Sequence, residues 1–262
     1  EEPAEGINEI EGVGEEISIE DIYFQYDESR NILNGISIKL PAGSLTSLVG
    51  TSGSGKSTVA GILIGRNRGY LGSIKVQGKE LDTIKEKSLM SNITMVSGNS
   101  YIFKGTVRDN LLMGNPRAKD EDMNKALKMV NLEAFLDAQK GLDTELLEQG
   151  SNLSGGQKQR LALARALLHD SAVYIFDEAT SNIDVESEEM IMKVIHQLAG
   201  TKTVLLISHR LANVTGSDKI YVLKDGKIDE EGTHDTLMAQ NGRYRELYSA
   251  QKALEEYGKG GE

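Results

Sequence analysis

Residues 50–58 constrain the fold of this chain more than any other stretch, because they match the phosphate-binding pattern G-x-x-x-x-G-K-[ST]. A polyphosphate is held best by converging backbone N–H groups, and glycines at the bends let the backbone approach that closely. An apolar run at residues 45–49 predicts a buried strand before the loop, and residues 58–64 predict a helix whose positive N-terminus faces the anion. The pattern predicts a nucleoside triphosphate site on an α/β fold, and a Gly/Ser-rich turn that fits by chance is the alternative.

Two side chains within this loop are expected to act directly on the phosphates. Lys56 would neutralise the terminal phosphates as a point charge, and the Ser57 hydroxyl would ligate Mg²⁺. The residues expected to bind the nucleotide here are Gly50, Thr51, Ser52, Gly53, Ser54, Gly55, Lys56, Ser57 and Thr58.

Two carboxylates, Asp177 and Glu178, follow an apolar strand predicted at residues 172–176. In a parallel sheet the ligand lies at the carboxyl ends of the strands, so this pair is expected near the phosphates. Asp177 suits the shell of Mg²⁺, and Glu178 suits a general base that polarises the attacking water. Taken alone, such a pair would rather indicate an acidic strand end or a helix cap.

The pattern along the chain predicts an α/β core that is interrupted by a helical insertion at about residues 105–168. Apolar periodicity at residues 123–130 and 132–138 predicts helices in that insertion, and residues 190–198 predict another helix beyond it. Further strands are predicted at residues 16–26, 34–40, 72–76, 93–96, 203–207, 219–223 and 227–231.

Composition limits the classes of function that remain. Among 262 residues, 29 Lys and Arg against 40 Asp and Glu give a net charge of −11, which disfavours a broad nucleic-acid surface. The absence of cysteine excludes disulfides and Cys-based metal sites.

The two ends of the chain are expected to lie outside the folded domain. Residues 1–16 contain seven glutamates and no Lys or Arg, which is typical of a solvated linker, and residues 252–262 are expected to form a C-terminal tail.

A second anion site is expected at the start of the helix that ends near residue 168. Ser154 is a good N-cap, and Gly155 and Gly156 expose the amides of the first turn. The run Leu-Ser-Gly-Gly-Gln that ends at Gln157, placed between the P-loop and Phe-Asp-Glu at residues 176–178, resembles the ATP-binding-cassette (ABC) ATPases. The resemblance extends over about residues 17–251.

That resemblance implies roles for three further residues. Tyr26 looks like the aromatic residue that stacks on adenine, Asp184 lies in a stretch similar to the D-loop, and His209 resembles the histidine that contacts the γ-phosphate. It implies ATP and Mg²⁺ as cofactors, with Lys56, Glu178 and His209 as catalytic residues. The implied fold is a P-loop NTPase core with a mixed sheet, an N-terminal antiparallel β region and an inserted helical subdomain. Two such domains would enclose two ATP molecules, each between one P-loop and the other domain's residues 154–157.

Three stretches, residues 103–111, 144–150 and 232–235, look like the exporter branch of this family. In that branch the cassette follows a transmembrane domain on the same polypeptide, which would lie N-terminal to Glu1 and be joined through residues 1–16. The expected role is therefore ATP hydrolysis that drives export, at the cytoplasmic face of the cell membrane, with no nucleic-acid partner. The transported substrate does not follow from the sequence, because the membrane domain selects it.

The clearest departure from the family pattern is Gly98, which stands where the family usually has a glutamine. Glycine supplies no side-chain oxygen to the metal or the water, so Asn99 or a second subunit would have to compensate. A catalytically impaired regulatory cassette of a heterodimeric transporter is one alternative. A soluble ABC ATPase of DNA maintenance is disfavoured, because only 154 − 56 = 98 residues separate Ser154 from Lys56 and no heptad repeat lies between them.

Overall fold

A six-stranded mixed sheet forms the centre of the computed structural model, which describes residues 6–12, 14–27 and 31–259. Its order is β12-β11-β3-β10-β9-β6, and only the edge strand β12 runs antiparallel to its neighbour. The strands are β3 (Leu45–Gly50), β6 (Ile93–Ser97), β9 (Val173–Asp177), β10 (Thr203–Ile207), β11 (Lys219–Lys224) and β12 (Lys227–Gly232). Strands β3 and β10 are buried along their whole length, as expected for a parallel sheet that is covered on both faces.

A second sheet is antiparallel and has the order β2-β1-β4-β5. It consists of β1 (Ile17–Gln25), β2 (Asn31–Leu40), β4 (Leu71–Val76) and β5 (Lys79–Glu80). Buried and exposed residues partly alternate along β1 and β2, so one face of this sheet packs on the core. The antiparallel pair β7 (Gly105–Thr106) and β8 (Glu145–Leu146) completes the described strands.

The helices divide between the two faces of the central sheet. They are α1 (Lys56–Leu63), α2 (Glu86–Asn92), α3 (Val107–Leu112), α4 (Asp120–Met129), α5 (Glu133–Asp137), α6 (Gly155–His169), α7 (Val185–Leu198), α8 (His234–Gln240) and α9 (Arg243–Lys259). Side chains alternate along β9, so Phe176 joins the core beneath α6 and α7, whereas Ile175 joins the core beneath α1 and the antiparallel sheet. This arrangement brings the carboxyl ends of β3, β9 and β10 to one edge of the sheet.

The predicted fold class is confirmed: the structure has the mixed sheet, the N-terminal antiparallel sheet and helices inserted between β6 and β9. The nine strands predicted from the sequence are all present, with ends that differ by three residues at most. Helices α2, α3, α8 and α9 were not predicted.

The structure describes part of both predicted ends of the chain. Ile10, in the expected linker, is buried, and the Asn92 side chain donates to its carbonyl at 2.9 Å, so this part of the segment packs on α2. At the other end α9 continues to Lys259, so residues 252–259 of the expected tail are helical. Residues 1–5, 13 and 260–262 lie outside the described residues.

Candidate functional site

The P-loop connects the carboxyl end of β3 to α1, as the sequence predicts. Gly50 has φ 149° and Gly55 has φ 108°, a region that residues with a side chain rarely adopt. A Cβ atom on Gly55 would also lie 2.6 Å from the Leu33 side chain. Both glycines are therefore required for this path of the backbone, which carries the loop N–H groups into the start of α1.

Lys56 is buried within the loop that it belongs to. Its Nζ donates to the carbonyl oxygens of Gly50 at 2.9 Å and Thr51 at 3.0 Å. Burial lowers the pKa of the Lys56 ammonium, and the nearby carboxylates of Glu178 and Asp177 oppose that shift. The loop carbonyl oxygens accept the hydrogen bonds that the Lys56 ammonium would donate to phosphate oxygens of a bound nucleotide.

Ser57 and Asp177 meet across the junction of α1 and β9. The Ser57 hydroxyl donates to Asp177 Oδ1 at 3.0 Å. Burial raises the pKa of the Asp177 carboxyl, and the hydrogen bond from Ser57 works against it. A hydroxyl and a carboxylate side by side are hard oxygen donors of the kind that Mg²⁺ takes from a protein when phosphates and water supply its other ligands. The pair therefore fits the predicted metal.

Glu178 follows β9 in a strained conformation, with φ 54°. Its N–H donates to the Ile207 carbonyl at 3.0 Å, which ties it to the end of β10. Its Oε2 lies 2.6 Å from His209 Nδ1 and accepts from the Ser181 hydroxyl at 3.2 Å. When Glu178 is ionised it only accepts hydrogen bonds, so His209 Nδ1 is then the donor of this pair. The structure thus brings the predicted base and the predicted histidine into direct contact.

Tyr26 lies beside the P-loop through its hydroxyl. The hydroxyl is 3.2 Å from Thr58 Oγ1 and accepts from the Asn67 side chain at 3.2 Å. The ring packs edge-on against Phe24, with centroids 4.9 Å apart, and remains 63% exposed. An exposed aromatic face next to a phosphate loop is available for stacking on a base. Asn67 was not predicted, and its spacing of 41 residues from Tyr26 carries no local signal.

One cavity of about 490 Å³ lies at this site, and Asp177 is not among the residues that line it. It is lined by Tyr26, Ile32, Ser52, Gly53, Gly55, Lys56, Ser57, Thr58, Glu178, Ser181 and His209. The volume is in the range of known small-molecule sites. Of the residues predicted from the sequence, the aromatic residue, the phosphate loop, the base and the histidine therefore converge.

The second predicted anion site lies elsewhere and does not line this cavity. Ser154 caps α6 in a reciprocal capping box: its hydroxyl accepts from the Gln157 N–H at 3.1 Å, and the Gln157 side chain accepts from the Ser154 N–H at 2.9 Å. A side chain on Gly156 would overlap Asp184, so the starts of α6 and α7 need glycine to pack together. Asp184 caps α7 through the Ser187 N–H at 2.9 Å, and this hydrogen bond lowers the pKa of the Asp184 carboxyl.

The comparisons with known proteins agree with this geometry. A family model described as ABC transporter matches residues 33–181, more than half of the chain. The chain belongs to the ABC transporter family. The part present is an ATP-binding cassette, the domain type that hydrolyses ATP in these proteins.

Similar ABC proteins are considerably longer than this chain. It is 46% identical over 241 residues to an ABC transporter ATP-binding protein of Haemophilus influenzae, covering 92% of this chain and 43% of that protein. A putative multidrug export ATP-binding/permease protein of Staphylococcus aureus is 40% identical over 237 residues, covering 90% and 41%. A solved bacterial Atm1-family ABC exporter with ATP bound superposes with a TM-score of 0.88 at 33% identity, covering 95% of this chain and 43% of that one. The cassette thus spans about two fifths of the length of these relatives.

Gly98, the departure from the ABC pattern, is packed against the end of β9. Its N–H donates to the Asp177 carbonyl at 3.1 Å, and a Cβ atom on it would lie 2.6 Å from the Glu178 carbonyl oxygen. Glycine here is thus a packing requirement of the backbone beside β9. Neither Gly98 nor Asn99 lines the cavity.

Proposed function

We propose that this cassette binds ATP with Mg²⁺ and hydrolyses it to drive export by an ABC transporter. The observation that carries the proposal is the single cavity in which Tyr26, the P-loop, Glu178 and His209 meet. The cavity offers an aromatic face for a base, a phosphate loop, and a carboxylate that can act on a water. The relatives named for ATP binding and multidrug export support the same role.

In this proposal each side chain has one task in an in-line displacement at the γ-phosphate. Tyr26 stacks on the adenine, and Lys56 neutralises the terminal phosphates. Glu178 accepts a proton from the attacking water, while His209 donates to the same carboxylate and fixes its direction. Mg²⁺, held by Ser57 and Asp177, would supply positive charge to the phosphate oxygens.

A second cassette supplies the groups that this cavity lacks. Ser154, Gly155, Gly156 and Gln157 do not line the cavity of their own chain, although their amides begin α6 as an anion site. We therefore propose that two cassettes, identical or different, close around two ATP molecules, with Asp184 at their interface. Each ATP lies between one P-loop and the other chain's residues 154–157.

The membrane-spanning part belongs to the proposal as well. The relatives include an ATP-binding/permease protein, and the chain matches about two fifths of it. In the part of the chain that the structure describes, no helix is both long and apolar enough to cross a bilayer. We propose that the transmembrane domain precedes the cassette on the same polypeptide, and that the cassette works at the cytoplasmic face of the cell membrane. The family match and the named transporters do not favour a role in DNA maintenance.

Paired substitutions test binding and hydrolysis separately. Lys56→Ala should abolish ATP binding, measured by calorimetry, because it removes the cation of the phosphate loop. Glu178→Gln should keep binding but lower the hydrolysis rate by roughly 10²–10⁴-fold, the usual contribution of a positioned general base. Wild-type turnover in Glu178→Gln would reject Glu178 as the base, and unchanged affinity in Lys56→Ala would reject the phosphate site.

A further inference from the structure

The loop that carries His209, residues 208–211, is held by a side chain of the C-terminal helix α9. Gln251 Nε2 donates to the His209 carbonyl at 2.6 Å, and Gln251 Oε1 accepts the Leu211 N–H at 2.9 Å. A carboxamide is both donor and acceptor, so one side chain satisfies the two backbone groups on either side of Arg210. Residues 42 apart in sequence are joined in this way.

Arg210 adds a second connection between this loop and the helices. Its guanidinium donates to Glu255 of α9 at 2.8 Å and also binds Glu188 of α7. Glu188 is buried, and its other oxygen accepts from the Asn213 side chain at 2.8 Å. The loop is therefore fixed from two sides, by α7 and by α9.

The His209 ring depends on this loop for its position. Its side chain is 59% exposed, so core packing does not hold the ring, although its Nδ1 must stay within 2.6 Å of Glu178 to orient that carboxylate. Misplacing a catalytic group by about 1 Å can lower a rate by as much as 10²-fold. A contact that fixes the backbone of His209 therefore acts on the reaction without touching the nucleotide.

We propose that Gln251 is a positioning residue for ATP hydrolysis, which makes helix α9 a support of the catalytic site. The proposal rests on the proposed function, because it gives His209 its role through Glu178. Gln251 acts on the backbone of the loop, and the loop places the ring. Gln251 is the last residue of the family resemblance, and residues 252–259, which the sequence predicted as a tail, continue its helix.

The first test separates turnover from binding in the 262-residue chain. Gln251→Ala should lower kcat on the order of 10-fold through the displaced histidine, with the KM for ATP unchanged because the P-loop and Tyr26 are untouched. Lys252→Ala, one position along the same helix and exposed, is the matched control and should keep both constants. Gln251→Ala with wild-type kcat overturns the proposal, as does an equal loss in Lys252→Ala.

A second variant distinguishes positioning from general destabilisation. Gln251→Glu keeps the acceptor for Leu211 N–H but loses the donor to the His209 carbonyl, and protonation of the new carboxyl restores a donor. The ratio of variant to wild-type kcat should therefore rise as the pH falls. Both proteins have the same charged groups around this position, so the ratio reports on residue 251. These groups are Glu178, Glu188, His209, Arg210 and Glu255. A ratio that does not change with pH contradicts the proposal.

A spectroscopic measurement makes the result independent of hydrolysis. The chain has four histidines, and the His209 ring nitrogen signals can be assigned by their loss in His209→Gln. Gln251→Ala should shift these signals toward those of a free imidazole, whereas Lys252→Ala should leave them in place. If the wild-type chain hydrolyses no ATP, the proposed function fails, and the His209 signals still decide whether Gln251 holds the ring. Unshifted signals in Gln251→Ala overturn the proposal.

Discussion

At the scale of single residues, Asp177, a proposed Mg²⁺ ligand, lowers the stability of the protein when no ligand is bound. Because burial raises its pKa, the folded state binds this proton more tightly than the unfolded state does. The stabilisation from this proton binding is fully present at pH values below the pKa that Asp177 has in the unfolded state. It is lost as the pH rises through the pKa that Asp177 has in the folded state. At neutral pH the ionised carboxylate therefore lowers the free energy of unfolding.

This sign leads to a prediction for Asp177→Asn. The nucleotide-free variant should unfold at a higher Tm than wild type at pH 7 and above, and the difference should shrink as the pH falls toward 4. A gain of about 1 kcal/mol corresponds to about 2–4 °C in a domain of this size. Scanning calorimetry at several pH values measures it, with the exposed Asp137→Asn as control. A lower Tm at pH 7 would contradict the prediction. In ATPase assays, Asp177→Asn should also require a higher Mg²⁺ concentration than wild type.

Gly98 gives a second prediction at this scale, and here the structure reverses what the sequence suggests. Restoring the glutamine of the family would be expected to raise the ATPase rate, yet any Cβ at this position approaches the Glu178 carbonyl to 2.6 Å. Gly98→Gln should therefore lower the free energy of unfolding by about 1–3 kcal/mol, the usual cost of overpacking, and should not raise kcat. Gly98→Ala should show most of the same loss, because Cβ makes the contact.

The matched control is Asn99→Gln, since Asn99 is the exposed neighbour of Gly98. Urea unfolding compares the three variants, and kcat is measured on the same preparations. A folded Gly98→Gln protein with a higher rate or a lower Mg²⁺ requirement would show that the backbone yields, and it would support the impaired-site alternative.

At the scale of secondary-structure elements, Ser154 at the start of α6 has an observed role as a helix cap and a proposed role in anion binding. Ser154 caps the helix by accepting a hydrogen bond from the Gln157 N–H. In the proposed dimer, the backbone N–H groups of the first turn of α6 would face the nucleotide of a second cassette. Ser154→Asp should keep the cap, because aspartate is as good an N-cap as serine, so stability should change little. The added negative charge where a phosphate should bind should abolish ATP hydrolysis.

Thr233→Asp is the matched control, because Thr233 caps α8 in the same kind of capping box. Calorimetric Tm values and ATPase rates for both variants separate capping from anion binding. Full hydrolysis in Ser154→Asp would contradict the proposed contact with phosphate. A large fall in Tm, confined to that variant, would mean that the loss of hydrolysis comes from a damaged cap and would contradict the separation of the two roles.

The same elements show what sequence could predict. Strands β3, β9 and β10 are short apolar runs, and the buried parallel sheet requires such runs, so periodicity and composition sufficed. Helices α2 and α3 are short, six or seven residues, and their apolar residues do not repeat long enough to show a helical period. Helix α9 has exposed polar residues along most of its length and is stabilised by contacts such as those of Gln251 with residues 208–211.

At the scale of the whole molecule, local patterns predict which groups act but not how distant segments meet. The P-loop and the carboxylates at 177 and 178 each carry a local signal, and the rule for parallel sheets predicts that they converge. Two hydrogen bonds depend on the packing of elements that are far apart in sequence, so no spacing predicts them. Asn67 donates one to the Tyr26 hydroxyl, and Gln251 donates the other to the loop at residues 208–211. The overlap at Gly98 likewise comes from a neighbouring strand.

The proposed division of the site between two chains gives the last prediction. Lys56→Ala disables the P-loop side of a composite site. Ser154→Asp disables the opposite side, formed by residues 154–157 and here called the signature, so each variant alone should hydrolyse no ATP. Mixed in equal amounts, they form dimers in which the intact P-loop of one chain faces the intact signature of the other. Random pairing in a two-fold dimer places one complete site in half of the dimers, so the mixture should recover roughly a quarter of the wild-type rate. Mixing Lys56→Ala with Glu178→Gln is the control, because both changes lie in the same cavity and no complete site can form. A mixture of the first pair that stays inactive would contradict a dimer of identical cassettes and would point to a different chain as the partner.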